Sequence, residues 1–174
     1  MVQCAAMGEV RTLPEVRAIR QRLREAGRTV VFTNGCFDLL HAGHVRYLAA
    51  ARALGACLIV GLNDDASVRR LKGSGRPILP AADRAEILAG LAAVDYVVLF
   101  EEDTAERLVA ELEPDVYVKG GDYGSAGSGA GKPLPEAALV GRYGGRVEIL
   151  DLHPGRSTTD VIQTILKRAL SPQS

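Results

Sequence analysis

Two of the three histidines in this 174-residue chain, His41 and His44, stand three positions apart with Gly43 between them. That spacing is close to one helical turn, so both imidazoles can share a face. Residues of this kind at a helix start meet backbone N–H groups without internal partners and about half a positive charge. Such a place suits phosphate, above all a phosphoryl centre that gains negative charge in its transition state. Removing one preorganised donor of this sort typically costs about 3–4 kcal/mol, or ~10²–10³ in rate. A zinc site would want three or four protein ligands, and no third histidine is near, so no metal ligation by side chains is expected. Two structural histidines at a helix start are the plainer alternative. The glycines at 35 and 43 speak against it, because they let a ligand approach the backbone.

Three further groups carry the same kind of chemistry. Lys72 follows Arg69 and Arg70 and precedes Gly73-Ser74-Gly75-Arg76-Pro77. A basic cluster with glycines fits a mobile loop closing over polyphosphate, or an ordinary surface loop. Lys119-Gly120-Gly121-Asp122 is a glycine-rich tip, and Ser157-Thr158-Thr159 gathers hydroxyls before an apolar-periodic run. Gly131-Lys132 imitates a Walker-type loop but fails, because Ala126 replaces its first glycine and Pro133 the Ser or Thr that holds magnesium.

Each group sits where a strand ends or a helix begins. The β-branched run Thr29–Thr33 feeds Asn34-Gly35-Cys36-Phe37-Asp38 and then a helical pattern through Val45, Leu48, Ala49 and Leu54. The continuous apolar run Ala56–Leu62 predicts a strand buried on both faces. Its polar tip, Asn63 and Asp64, can cap the next short helix and is a weaker candidate for substrate or phosphate contact, with Arg76 and Arg84. Strands follow at Tyr96–Phe100, Asp115–Val118 and Arg146–Leu150. Helices are expected over 14–26, 81–91, 104–112 (capped by Asp103 or Thr104), 135–143 and from Ser157 onward. The arginines of the first helix read as a solvated face. This alternation predicts an α/β, Rossmann-like doubly wound fold with a mostly parallel five-stranded sheet. Ligands of such sheets bind beyond the strands' carboxyl ends, where all four groups would gather.

Composition narrows the class. One domain over 1–174 is expected, with a loose start over 1–9 and a flexible Gly/Ser/Ala loop over 124–132. The charges balance at 21 basic and 21 acidic residues, with no basic stripe and interleaved aromatics, so nucleic acid is not an expected partner. Three widely spaced cysteines read as reduced thiols, and no run reaches the ~20 apolar residues of a membrane span. A cytoplasmic protein is expected. No Gly-x-Gly-x-x-Gly follows the first strand, which counts against a dinucleotide oxidoreductase.

Asn34-Gly35-Cys36-Phe37-Asp38-Leu39-Leu40-His41-Ala42-Gly43-His44 resembles the His-x-Gly-His signature of the cytidylyltransferase-like nucleotidyltransferases. Leu71-Lys72-Gly73, Arg76-Pro77, Asp83-Arg84, Phe100–Thr104, Val118–Tyr123 and Gly155–Thr159 extend the likeness. Together they look like the D-glycero-β-D-manno-heptose 1-phosphate adenylyltransferases, which make ADP-heptose for lipopolysaccharide. The resemblance implies a nucleotidyltransferase-type fold, with His41 and His44 on the α-phosphate and Lys72 on the polyphosphate. It places Thr33, Asn34, Gly35, Phe37 and Gly43 at the nucleotide, with Asp38 supporting the histidine loop. Lys119, Gly120 and Asp122 would lie near nucleotide or sugar, and Ser157, Thr158 and Thr159 by the phosphates. It also implies ATP and a sugar 1-phosphate as substrates, Mg²⁺ arriving with ATP, a separate heptose kinase upstream, and a homodimer. Leu152 and His153 stand where glycerol-phosphate cytidylyltransferases carry Arg-Thr, against cytidylyl transfer to glycerol 3-phosphate. That transfer and a non-catalytic nucleotide-binding module are the competing readings.

Overall fold

The computed structural model describes residues 7–121, 134–151 and 158–170. In chain order the elements are β1 (Glu9–Val10), α1 (Leu13–Glu25), β2 (Val30–Gly35), α2 (Ala42–Arg52), β3 (Cys57–Asn63), α3 (Asp65–Lys72) and α4 (Ala81–Ala89). There follow β4 (Tyr96–Phe100), α5 (Glu106–Leu112), β5 (Val116–Gly120), α6 (Glu136–Arg142), β6 (Arg146–Leu150) and α7 (Thr158–Leu170).

The six strands form one sheet in the order β1-β4-β3-β2-β5-β6, every neighbouring pair parallel. Five of them are the strands expected from the sequence. The sixth, β1, is a two-residue edge strand that begins at the end of the stretch 1–9 read as loose, paired Glu9 to Tyr96 and Val10 to Val97. Two residues are too few to show a period.

Helices cover both faces, as a parallel sheet requires. All seven residues of β3 are buried. On one face Val31, Leu58, Val60, Leu62 and Val118 pack with Leu48 of α2 and Ala85 and Leu88 of α4. On the other, Val30, Phe32, Ile59, Phe100 and Tyr117 pack with Val16 of α1, Leu108 and Leu112 of α5, and Val140 of α6. Each such side chain contributes about 1.5–3 kcal/mol on full burial.

One arginine of α1 departs from the solvated face. Arg20 is 5% exposed and donates to the carbonyls of Leu112 and Glu113 and to Asp115 Oδ1 at 2.8 Å. Helical period alone cannot separate it from its exposed neighbours, because its acceptors lie more than ninety residues away. The start of α5 also differs from expectation. Ala105, not Asp103 or Thr104, is the N-cap, and its N–H donates to Glu136 Oε1 of α6 at 2.9 Å.

Strand order reverses between β2 and β5, since β3 and β4 lie on one side of β2 and β5 and β6 on the other. The β2–β5 ladder ends at Thr33 opposite Val118. Yet β2 runs on beside β3 to Gly35, and β5 beside β6 to Gly120. The two strands therefore part at their carboxyl ends, which opens the crevice where such sheets bind ligands.

Candidate active site

The signature loop leaves β2 at this crevice and enters α2 through His41. His41 is the N-cap, with extended backbone, and its Nδ1 accepts the N–H of Gly43 at 3.1 Å. His44 Nδ1 accepts the N–H of His41 at a longer 3.4 Å. The imidazoles thus cap the helix reciprocally, as Ser and Glu do in a capping box. Their rings stack, with centroids 3.9 Å apart at 26°.

Two consequences follow from this capping. An Nδ1 that accepts a hydrogen bond is unprotonated, so each neutral ring carries its proton on Nε2 and can donate from there. Burial, with a smaller contribution from the charge of His41, lowers His44 from the ordinary 6.5 to about 4. His44 is therefore a neutral donor near pH 7, not a cation. The sequence reading assumed unpartnered N–H groups at this helix start. Those of Gly43 and His44 are in fact occupied, by His41 Nδ1 and by the carbonyl of His41 at 2.9 Å. The ring Nε2–H groups are therefore the donors this helix start leaves available for an anion.

Behind the pair lies a buried framework. Asp38, 2% exposed, accepts from the guanidinium of Arg76 and from the N–H groups of Ile78 and Leu79 at 2.8 and 3.1 Å. These bonds tie the signature loop to the segment before α4 and commit the carboxylate to protein donors. Arg84 is 1% exposed and donates to the carbonyls of Leu79 (3.0 Å), Cys36 (2.6 Å) and Asn63 (2.9 Å) and to Asp65 Oδ1 (2.7 Å). It joins the signature loop, the tip of β3, the start of α3 and the segment before α4. Arg84 therefore acts here through the scaffold. Asn63 is likewise buried, its amide donating to Ser67 Oγ and to the carbonyl of Glu102. Asp64 caps α3, accepting from the N–H of Ser67 at 2.7 Å.

Thr33 is fully buried, and its hydroxyl shares a 2.7 Å hydrogen bond with that of Tyr47. Phe37 is 8% exposed and leans on His44 at 5.4 Å and 60°. Asn34 Oδ1 accepts from the Tyr117 hydroxyl across the crevice at 2.7 Å. On the far wall Lys119, 7% exposed, holds its ammonium 5.6 Å from the centre of the Tyr117 ring. Burial lowers Lys119 to about 8, against the opposing pull of Glu136 and Cys36. Gly120 closes β5 beside it.

Lys72 ends α3 and is exposed. Its charge, with those of Arg84 and Arg76, acts to lower the Cys36 thiol, which burial nevertheless pushes up. Thr158 opens α7 and donates from its hydroxyl to the carbonyl of Leu39 at 3.3 Å, so a second helix start reaches the same loop. Thr159 is exposed beside it. Asp122, Ser157 and the 124–132 loop lie outside the described residues.

The model of the cytidylyltransferase-like family matches residues 32–163, from within β2 to within α7. The chain belongs to that family. Among curated relatives it is 53% identical over 160 residues to the bifunctional protein HldE of Syntrophotalea carbinolica, covering 92% of this chain and 31% of that protein. To the HldE proteins of Trichlorobacter lovleyi and Streptomyces coelicolor it is 55% identical, over 86% and 83% of this chain and 29% and 30% of theirs. The chain thus spans about a third of the length of these relatives. A lipopolysaccharide core biosynthesis protein of Thermoplasma volcanium shares its fold at a TM-score of 0.59 and 27% identity, over 75% of this chain and all of that one. Pantoate-beta-alanine ligase of Francisella tularensis, 12% identical over 97% of this chain and 80% of its own, shares the fold with a TM-score of 0.57.

Within this family member, two residues that position the site were not singled out from the sequence. Tyr47, one turn beyond His44, donates to the carbonyl of Val118 at 3.1 Å while bonded to Thr33, and so pins α2 to both walls of the crevice. Its place at i+3 from His44 was the available signal. Glu136, 3% exposed, is a lone acid at the start of α6 with no local pattern to mark it. Among the described residues no helix is long and apolar enough to cross a membrane.

Proposed function

We propose that the chain transfers an adenylyl group from ATP to D-glycero-β-D-manno-heptose 1-phosphate, giving ADP-heptose and pyrophosphate for lipopolysaccharide synthesis. The observation that carries this reading is the pair of stacked, reciprocally capped imidazoles at the β2–β5 crevice. The family membership, the HldE relatives and the likeness to a Thermoplasma protein of lipopolysaccharide core biosynthesis support it.

The sugar phosphate oxygen is already anionic, so no general base has to create the nucleophile. It attacks the α-phosphorus in line, forming the new P–O bond as the bond to pyrophosphate breaks. The protein's work is alignment and charge stabilisation. His41 and His44 donate from Nε2 to the α-phosphate oxygens, and Lys72 meets the polyphosphate. Lys119 faces the nucleotide or sugar from the other wall. The start of α7, with Thr158 and Thr159, meets the nucleotide phosphates. Magnesium would arrive with ATP and help neutralise the phosphate charge, since Asp38, the carboxylate of the signature loop, is committed to Arg76 and two backbone donors. A kinase upstream supplies the heptose 1-phosphate, in the cytoplasm where ATP is made, and the working form is a homodimer.

Pyrophosphate release decides the matter when ATP, CTP and GTP are each crossed with heptose 1-phosphate and glycerol 3-phosphate. Release with ATP and heptose 1-phosphate, falling at least a hundredfold in both His41→Ala and His44→Ala, is expected. Release only with CTP and glycerol 3-phosphate, or nucleotide binding without turnover on either phosphate, would refute the proposal.

A further inference from the structure

Two described residues other than glycine have left-handed backbone, Phe37 and Glu113, each with φ of 42°. Glu113 ends α5, where that conformation commonly closes a helix. Phe37 closes no helix. For a bulky side chain such backbone is strained, and it persists only where the surroundings enforce it.

The strain has a visible effect. It lays the Phe37 ring over Gly35, where a Cβ would stand 3.2 Å from Cε2 of the ring, tighter than such contacts usually are. The ring is buried with Val31, Leu48, Leu62 and Val118 and rests against His44 at 5.4 Å. His44 in turn stacks on His41. Three separate features, a strained φ, a glycine and a ring contact, therefore converge on one imidazole.

Resting on the nucleotidyl-transfer reading above, we infer that Phe37 is a positioning residue: its ring, folded back over Gly35, fixes His44 in the stack with His41 and so sets where the Nε2–H is presented to the reacting phosphate. The nucleotide itself need not touch Phe37. Its burial behind His44 also keeps water from that side of the imidazole, in line with the lowered titration of His44. His41 is the titratable neighbour acting on that group.

The test uses Phe37→Leu, which keeps an apolar side chain but loses the flat face, and Gly35→Ala, which keeps the ring but displaces it. Both are measured in the full chain for pyrophosphate release with ATP and heptose 1-phosphate, and for the His44 imidazole by NMR titration. Expected are a fall in kcat of about ten- to a hundredfold with KM for ATP within about threefold, and a His44 midpoint at least one pH unit above that of the parent. Unchanged kcat and midpoint in folded protein, or a loss carried by KM for ATP alone, would overturn the inference. Should Phe37→Leu fail to fold, Gly35→Ala decides by the same criteria. Should the parent chain release no pyrophosphate with any pair, the proposed reaction fails, while the His44 titration still settles whether Phe37 holds that ring.

Discussion

Replacing Arg84 with Met tests the buried framework directly. The substitution keeps an unbranched apolar stem and removes the guanidinium. It deletes the bonds to Leu79, Cys36 and Asn63 carbonyls and to Asp65. Hydrogen bonds to a charged group contribute about 1.5–3 kcal/mol each, but they are not additive within one network. Removing one partner of a buried charged cluster costs about 3–5 kcal/mol, and that is the expected loss of stability. For a chain of this size it corresponds to a fall in Tm of roughly 6–20 °C. Activity should fall further than stability predicts, because the Cys36 carbonyl belongs to the loop that delivers His41. At a temperature where the variant remains folded, kcat should drop about tenfold or more. Arg84→Lys should rescue little, since one ammonium cannot span four acceptors set around a planar fork. The assay is thermal unfolding by circular dichroism beside pyrophosphate release. A Met variant within 1 °C of the parent Tm and with full turnover would refute the clamp.

Other outcomes follow from the same geometry. NMR titration should find His44 neutral until about pH 4, below the unfolded value near 6.5. The unfolded chain then takes the proton first as pH falls, so stability contributed by this site declines from about pH 6.5 to 4, and His44→Gln should remove that decline. Lys119 acts in the same sense at higher pH: with a folded value near 8 against 10.5 unfolded, it makes stability rise with pH between those values, which urea titrations of Lys119→Met would check by its absence. For the free enzyme, kcat/KM should fall above about pH 8 as Lys119 loses its charge, and a flat profile there would count against its contact with an anionic substrate. Tyr47→Phe leaves the Thr33 hydroxyl and the Val118 carbonyl without that partner, at a cost of about 1–3 kcal/mol, read as a lower urea midpoint.

Much of this fold could be read directly, because a parallel sheet writes its central strands as unbroken apolar runs. Tyr96–Phe100 forms a strand over the expected bounds, and so does the edge strand Arg146–Leu150, although Arg146 and Glu148 interrupt its apolar run. The histidine pair was legible for a similar reason: its spacing is a local property of one helical turn. What escaped was set by partners distant in sequence. Arg20 looks like any surface arginine until the carbonyls it meets are known, and Arg84, expected as a weaker contact to substrate or phosphate, shows its buried bonds to carbonyls only in the fold. The N–H of Ala105, the N-cap of α5, finds its acceptor in Glu136, thirty-one residues on. Phe37 reads as a pocket residue on sequence grounds, and only its φ and ring contacts show that it faces inward.

The early end of the β2–β5 ladder has a further consequence for how the molecule comes apart. The strands formed before about residue 105, β1 to β4, lie on one side of that gap, and β5 and β6, formed after it, lie on the other. A bound nucleotide would therefore stitch these two blocks of strands together beyond the point where their own ladder ends. Saturating ligand at a hundredfold excess over Kd should add about 2.7 kcal/mol against opening. The slowing of amide exchange should reach both blocks, well beyond the residues the ligand touches.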